Sequence, residues 1–419
     1  MRPNAVDSMF NTGAALLLKL LPRGLDRKVN QLFVLGFLNE FGRTLVTVFL
    51  PLYLFSELKA PYELVGLALT ITTGTSAFFQ VLGGVLADSW GRRRALLMSS
   101  GIKVPLLVML AIGSKIGMSI LIFVALFTAT EALSGVFLTS AYAMIADVVE
   151  TRRRAEAYGV FRVGDNLGFA LGAFVGGLIL DFSMLFAIWL FCTSLVTVAM
   201  LFFVGESRES VGEKFHPMAI IRVARERVLL ELGLASLMAG VIANQMGATF
   251  ALYTTIHLNI TREQLGSLYS LNGLLVIVLQ YPLSRLALRY HLSKLLAVAS
   301  AIRAFGYLLV VAASDFYLLQ VVMVALTVGE MLQAPAGASY AASIAPETKR
   351  GEYLGFYNWT WNTGQALSPI VGGFLLGALV FREFVTWYVI FIVGVACSFV
   401  YIYLGRKARR AIPRLEDIL

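Results

Sequence analysis

Four carboxylates fall inside long apolar runs: Glu40, Glu131, Asp165 and Glu330. An ionisable group at bilayer depth costs ~2.5–3.5 kcal/mol on insertion scales, so each is a candidate for function. Such a carboxyl is easier to keep protonated than ionised, and the chemistry it suggests is reversible proton uptake. Glu131 and Glu330 lie ~20 Å in from the outer ends of their runs at 1.5 Å per residue, near mid-membrane. Neither has a cation on its own run. Arg43 follows Glu40 by three residues and shares its face. Arg162, Asp165 and Asn166 likewise share a face. Lys103 and Arg303 lie nearer the inner ends, where long basic side chains can snorkel. None of the three histidines substitutes for the carboxylates, since His216 and His291 fall in inner loops and His257 at the outer mouth.

Uncharged polar residues complete a candidate cavity: Asn39, Asn244, Gln245, Asn358, Asn362 and Gln365, with Tyr253, Tyr357, Trp359 and Trp361 among them. Carboxylates, amides and aromatics together suit amphipathic or cationic organic molecules. A phosphate-rich substrate would require several cations, and only Arg43 and Arg162 are well placed.

The elements that hold these residues follow from composition. The 419 residues are 58% hydrophobic and 14% charged, with a net charge of +9. A soluble chain runs nearer a quarter charged. Twelve apolar runs of spanning length can be counted: 31–56, 62–87, 95–113, 117–146, 155–180, 184–204, 228–257, 264–288, 294–313, 316–345, 352–379 and 384–405. With both ends on one side, that side carries 26 Lys and Arg against four on the other, the last four of 34 lying within runs. This bias places both termini in the cytoplasm of a multi-pass cell-membrane protein, and explains the basic balance without nucleic acid. An apolar patch at 14–21 is too short to span and reads as a surface-lying amphipathic segment. Cys192 and Cys397 lie deep in apolar runs and imply no disulfide.

The chain divides into an N-terminal segment 1–30, a six-helix bundle 31–204, a charged cytoplasmic linker 205–227, a second bundle 228–405 and a tail 406–419. The bundles resemble each other at an offset of ~200. Leu52, Tyr53, Glu63, Gly66 and Gln80 recur as Leu252, Tyr253, Glu263, Gly266 and Gln280. Lys103 recurs as Arg303, Glu131 as Glu330, and Asn166 with Gly168 as Asn362 with Gly364. The expected fold is an all-α membrane protein of twelve helices in two pseudo-symmetric bundles, with a site at the midplane between parallel repeats.

Between the second and third runs stands GVLADSWGRRRAL, Gly84 to Leu96. It resembles the signature of the major facilitator superfamily, matching at Gly84, Leu86, Ala87, Asp88, Gly91, Arg92, Arg93 and Leu96 and departing at Ser89. The resemblance implies that Asp88 and Arg92 latch the cytoplasmic side, with Asp147 as a third charge. The fifth run is similar to the drug:proton antiporter branch at Gly168, Gly172, Gly176 and Gly177. Ala173 stands where that pattern has proline, and Glu131 where many antiporters have arginine. The glycine spacing by itself makes a flat face for close helix packing, one that a rocking transporter would slide or separate.

No G-x-x-x-x-G-K-[ST] loop, H-E-x-x-H helix or Cys/His cluster is present, so neither ATP hydrolysis, zinc proteolysis nor a metal centre is expected, and no cofactor. The expected activity is secondary transport of a small organic molecule, with proton-coupled efflux favoured, by a monomer that is not an enzyme. A proton- or sodium-coupled nutrient symporter or a uniporter is the alternative. A polytopic enzyme or lipid-handling protein would need a reactive polar cluster at one interface, and none is evident.

Overall fold

The computed structural model describes residues 26–207, 227–287, 290–346, 349–379 and 381–411. The 14–21 stretch, most of the linker and residues 412–419 lie outside the described residues. Twelve long helices follow the expected runs within a few residues, except that the last extends further: α1 (Arg27–Glu57), α2 (Tyr62–Trp90), α3 (Arg92–Ile116), α4 (Ile120–Val148), α5 (Arg154–Leu178), α6 (Phe182–Phe202), α7 (Val228–His257), α8 (Arg262–Ala287), α9 (Leu292–Ala312), α10 (Phe316–Ile344), α11 (Arg350–Ala378) and α12 (Val385–Ala411). Among the described residues, ten are long and apolar enough to cross a membrane. The exceptions, α5 and α11, carry the polar residues of the candidate site. Each packs against helices of both halves, so much of its polar surface is covered by protein rather than lipid.

Local chemistry sets the helix ends. Asp181 caps α6 by accepting from the Ser183 amide at 2.8 Å, and Asp315 caps α10 through the Leu318 amide at 2.8 Å. Gly91 turns α2 into α3 with φ at +98°, a conformation open to glycine at little cost. In α1 the hydrogen-bond ladder breaks just before Pro51, which has no amide to donate. Its counterpart α7 breaks at Asn244–Met246, in the same part of the repeat.

Within the first half α1 packs on α5 and α6, α2 on α4, and α3 on α4 and α6. The second half repeats this with α7 on α11 and α12, α8 on α10, and α9 on α10 and α12. The correspondence holds at single residues. Thr72 and Thr128 share a 2.9 Å hydrogen bond, and Asn272 donates to Thr327 at 2.9 Å in the matching place. Gly168 seats on the Phe37 carbonyl, as Gly364 does on that of Leu237.

The glycines of α5 form a ladder. A Cβ would meet the Phe33 carbonyl at 2.7 Å from Gly164, that of Phe37 at 2.5 Å from Gly168, and that of Phe41 at 2.6 Å from Gly172. Backbone therefore lies on backbone, which fixes α1 and its polar side chains against α5. This corrects the expectation of a sliding surface, because the seam lies inside one half. Gly177 alone of that set faces the other half, at 2.7 Å from the Arg262 carbonyl.

The halves meet through α2 on α11 and α5 on α8. On the side away from the basic loops the contact is tight. A Cβ on Gly66 would lie 2.5 Å from the Pro369 carbonyl and 3.2 Å from Gly373 Cα. Tyr62 Oη and His257 Nε2 are 3.3 Å apart, Arg262 donates to the Leu180 carbonyl at 2.7 Å, and the Ile370 amide donates to Thr70 at 3.0 Å. Toward the basic side α2 leaves α11. Gly74 meets Ala366 at 3.8 Å, and Gly84 meets only Thr139 of its own half among the described residues. The halves are thus closed on one side and diverge on the other.

Candidate functional site

In the first half α1, α2, α4 and α5 enclose a cavity of about 140 Å³. Asn39, Glu40 and Arg43 line it from α1, Ser76 and Gln80 from α2, Glu131 and Ser134 from α4, and Asp165 from α5. Arg43 is the hub. It grips Glu40 with two hydrogen bonds, Nε to Oε2 at 2.9 Å and Nη2 to Oε1 at 2.8 Å. Its Nη1 donates to Glu131 Oε2 at 3.0 Å. Thr44 also donates to Glu40, at 3.1 Å. The second oxygen of Glu131 is buried without a partner.

Lys103 and Arg303 do not snorkel. Lys103 is fully buried and donates to Asn39 Oδ1 at 2.8 Å and to Ser134 at 3.4 Å, with the Phe137 ring 5.4 Å away. Arg303 is 7% exposed. Lys103 points inward because the first half's centre is polar, so a shorter path to a polar partner beats the route to the interface. The first-half centre thus sets three carboxylates, Glu40, Glu131 and Asp165, against two cations, Arg43 and Lys103.

Other expected residues are placed elsewhere. Arg162 is exposed, does not line the cavity and makes no ion pair with Asp165; Asn166 turns back to the Arg162 carbonyl at 2.8 Å. Asn244 donates to the Gln365 carbonyl at 2.9 Å, and fully buried Gln245 donates to the Ser368 carbonyl at 3.1 Å while accepting from Thr249 at 2.6 Å. These amides stitch α7 to α11. Asn358 is exposed and Asn362 half-buried. Glu330 accepts from Asn272 at 3.2 Å, in the second half. Sequence reasoning missed Ser76 and Gln80, although their spacing of four, continued by Gly84, marks one polar face of α2.

At the basic ends of the first half Arg92 bridges two acids. It bonds to Asp88 and, through Nε at 3.0 Å, to Asp147, which also accepts from Ser207 at 3.0 Å. Arg93 donates to the Leu201 and Val204 carbonyls at 2.8 and 2.6 Å, and its amide to Glu206 at 3.0 Å. Together these bonds tie the ends of α2, α3, α4 and α6. Among the described residues no cluster of His, Cys, Asp and Glu could hold a metal ion.

A model of the Major Facilitator Superfamily matches residues 32–257 and again 232–417. The chain is 22% identical to the quinolone resistance protein NorA of Staphylococcus aureus (strain MRSA252), covering 93% of this chain and 99% of that one. It is 22% identical to a Na(+), Li(+), K(+)/H(+) antiporter of Planococcus maritimus, covering 78% and 84%. A crystal structure of a POT family transporter in complex with 5-aminolevulinic acid superposes with a TM-score of 0.79 over 92% of this chain and 97% of that one, at 13% identity. Paired six-helix repeats, the Gly84–Leu96 loop and these matches converge: the chain belongs to the Major Facilitator Superfamily of membrane transporters.

Proposed function

We propose that the protein exports small amphipathic organic compounds in exchange for protons, with its basic side in the cytoplasm. The observation that carries this reading is Arg43 held between Glu40 and Glu131 at the wall of the first-half cavity, with Asp165 opposite. Three carboxylates and two cations leave one negative charge in excess. When the site is buried, a proton neutralises that excess. When it is hydrated, a cationic group on the cargo can replace the proton. Exclusive occupancy of one charge by proton or cargo is the condition for exchange. The unpartnered Glu131 oxygen is where the proton would sit, and Arg43 would then turn fully to Glu40.

The divergence of the halves toward the basic side, the side assigned to the cytoplasm, supports entry of cargo from there. The resemblance to NorA supports an organic cargo. The resemblance to a cation/proton antiporter supports a second reading, in which an alkali cation takes the cargo's place.

The test is transport in inside-out vesicles with an imposed pH gradient. Dye accumulation that collapses with the gradient supports the proposal. Glu131→Gln should abolish gradient-driven accumulation while sparing downhill exchange, since glutamine keeps the hydrogen bond and cannot titrate. Proton release driven by sodium or potassium alone would favour the second reading. Transport indifferent to pH would overturn both.

A further inference from the structure

Two nitrogens of a guanidinium deep in the second half have no partner. Arg303 Nε and Nη1 are buried and unbonded, and among the described residues the side chain forms no ion pair. Arginine cannot shed its proton to escape this. A buried guanidinium with unmet donors is unfavourable, so the arrangement is one half of an interaction.

The repeat shows that the vacancy is built in. Lys103, at the same step of α3, is satisfied by Asn39 and Ser134. The matching residues in the second half are Ala239 and Gln333. Ala239 offers no acceptor, and the Gln333 amide donates to Tyr401 at 3.4 Å. The α1 pair Glu40 and Arg43 is matched on α7 by Gly240 and Ala243. Gly329, beside Glu330, leaves room for the arginine stem: a Cβ there would lie 2.5 Å from Arg303 Cγ. Tyr357 of α11 and Cys397 of α12 lie within electrostatic reach of the guanidinium. Asn39 lines the first-half cavity, and Arg303 stands at the step of α9 that matches Lys103.

The geometry points to Arg303 as the docking point for a carboxylate group of the transported molecule. The planar fork of the guanidinium matches a carboxylate with two parallel hydrogen bonds. Glu330 accepts from Asn272 and, among the described residues, makes no ion pair with Arg303. The cargo then carries both an acid and, for the carboxylates of the first half, an amine. Calling the ligand cargo rests on the transport reading; its binding needs no gradient.

The experiment is calorimetric titration of the purified protein with 4-(aminomethyl)benzoate, its methyl ester, benzylamine and sulfate. The acid should bind roughly tenfold more tightly than the ester, and more tightly than benzylamine, because only the acid engages a charged fork. Arg303→Gln should erase that difference. Ala239→Asn, which supplies the acceptor that Lys103 already has, should weaken the acid while raising the melting temperature, and so reports on the site in a folded protein. Acid and ester binding alike, or a preference for the acid that survives both substitutions, would overturn the proposal. So would sulfate competing as well as the acid, since the site would then be one for small inorganic anions. Failure here would leave proton coupling at Glu131 standing, and failure at Glu131 would leave an acid preference standing.

Discussion

The two halves share a backbone plan and solve opposite electrostatic problems. In the first half both cations at the centre have partners: Arg43 spans Glu40 and Glu131, and Lys103 bonds Asn39. In the second, Arg303 is unbonded and Glu330 leans on an amide. The first half sets three carboxylates against two cations in a bonded network, and the second has one cation, Arg303, and one carboxylate, Glu330, that form no ion pair with each other among the described residues. Duplication fixed where the charged steps fall, at 103 and 303 and at 131 and 330. The differing residues of α1 and α7 at matched positions decide which charges remain available. A pseudo-symmetric fold can thus place complementary charges across a path without any new helix.

The largest expected effect breaks this contrast directly. Arg43→Gln strands two buried carboxylates and should cost about 3–5 kcal/mol of stability, read as a large fall in melting temperature. Arg303→Gln removes a charge that has no partner and should cost little or raise the melting temperature. Equal losses for the two variants would mean that the halves are not electrostatically different. Next is coupling. Glu131→Gln should abolish accumulation against a gradient while Glu330→Gln retains most of it; similar losses would make the carboxylates equivalent. Smaller again, Gly172→Ala should cost about 1–3 kcal/mol by pressing a methyl on the Phe41 carbonyl, seen as lowered stability of the whole protein. Last, Asp88→Asn should leave the fold intact and slow turnover, shifting the balance of open sides by about 1–3 kcal/mol, since Arg92 keeps Asp147. Unchanged turnover in that variant would remove Asp88 from any latch. Cysteines placed at 208–214 should label only from the cytoplasmic side, and labelling from outside would invert the assignment of faces.

Helix positions were legible because apolar length and basic punctuation are properties of consecutive residues. The pairing of Glu40 with Arg43 was legible for the same reason, being three residues apart. Glu131 was not seen to share that arginine, because the bond joins α1 to α4 and depends on how each helix is rotated. The amides of α7 were misjudged for a more specific reason. Pro369 has no amide to give the carbonyl four residues before it, so the Gln365 oxygen needs a donor from elsewhere, and Asn244 supplies it at 2.9 Å. A proline on one helix thus consumed a polar side chain on another, 125 residues away in the chain. Reading Asn244 as part of a cavity required that this debt be absent. Arg162 was misplaced because sharing a face with Asp165 brings two groups into range and does not make them meet.

The contact of Gly66 with Pro369 and Gly373 has a mechanical meaning. It is where backbone of one half rests directly on backbone of the other. From Gly66 to Trp90 the helix runs about 36 Å at 1.5 Å per residue. A bearing this narrow at one end of so long an arm turns a tilt of about 10° into a tip displacement of roughly 6 Å. The pivot therefore acts as a gear ratio. Thickening it by a single methyl at Gly66 would reset the resting angle of the whole molecule without touching any group that binds cargo or proton.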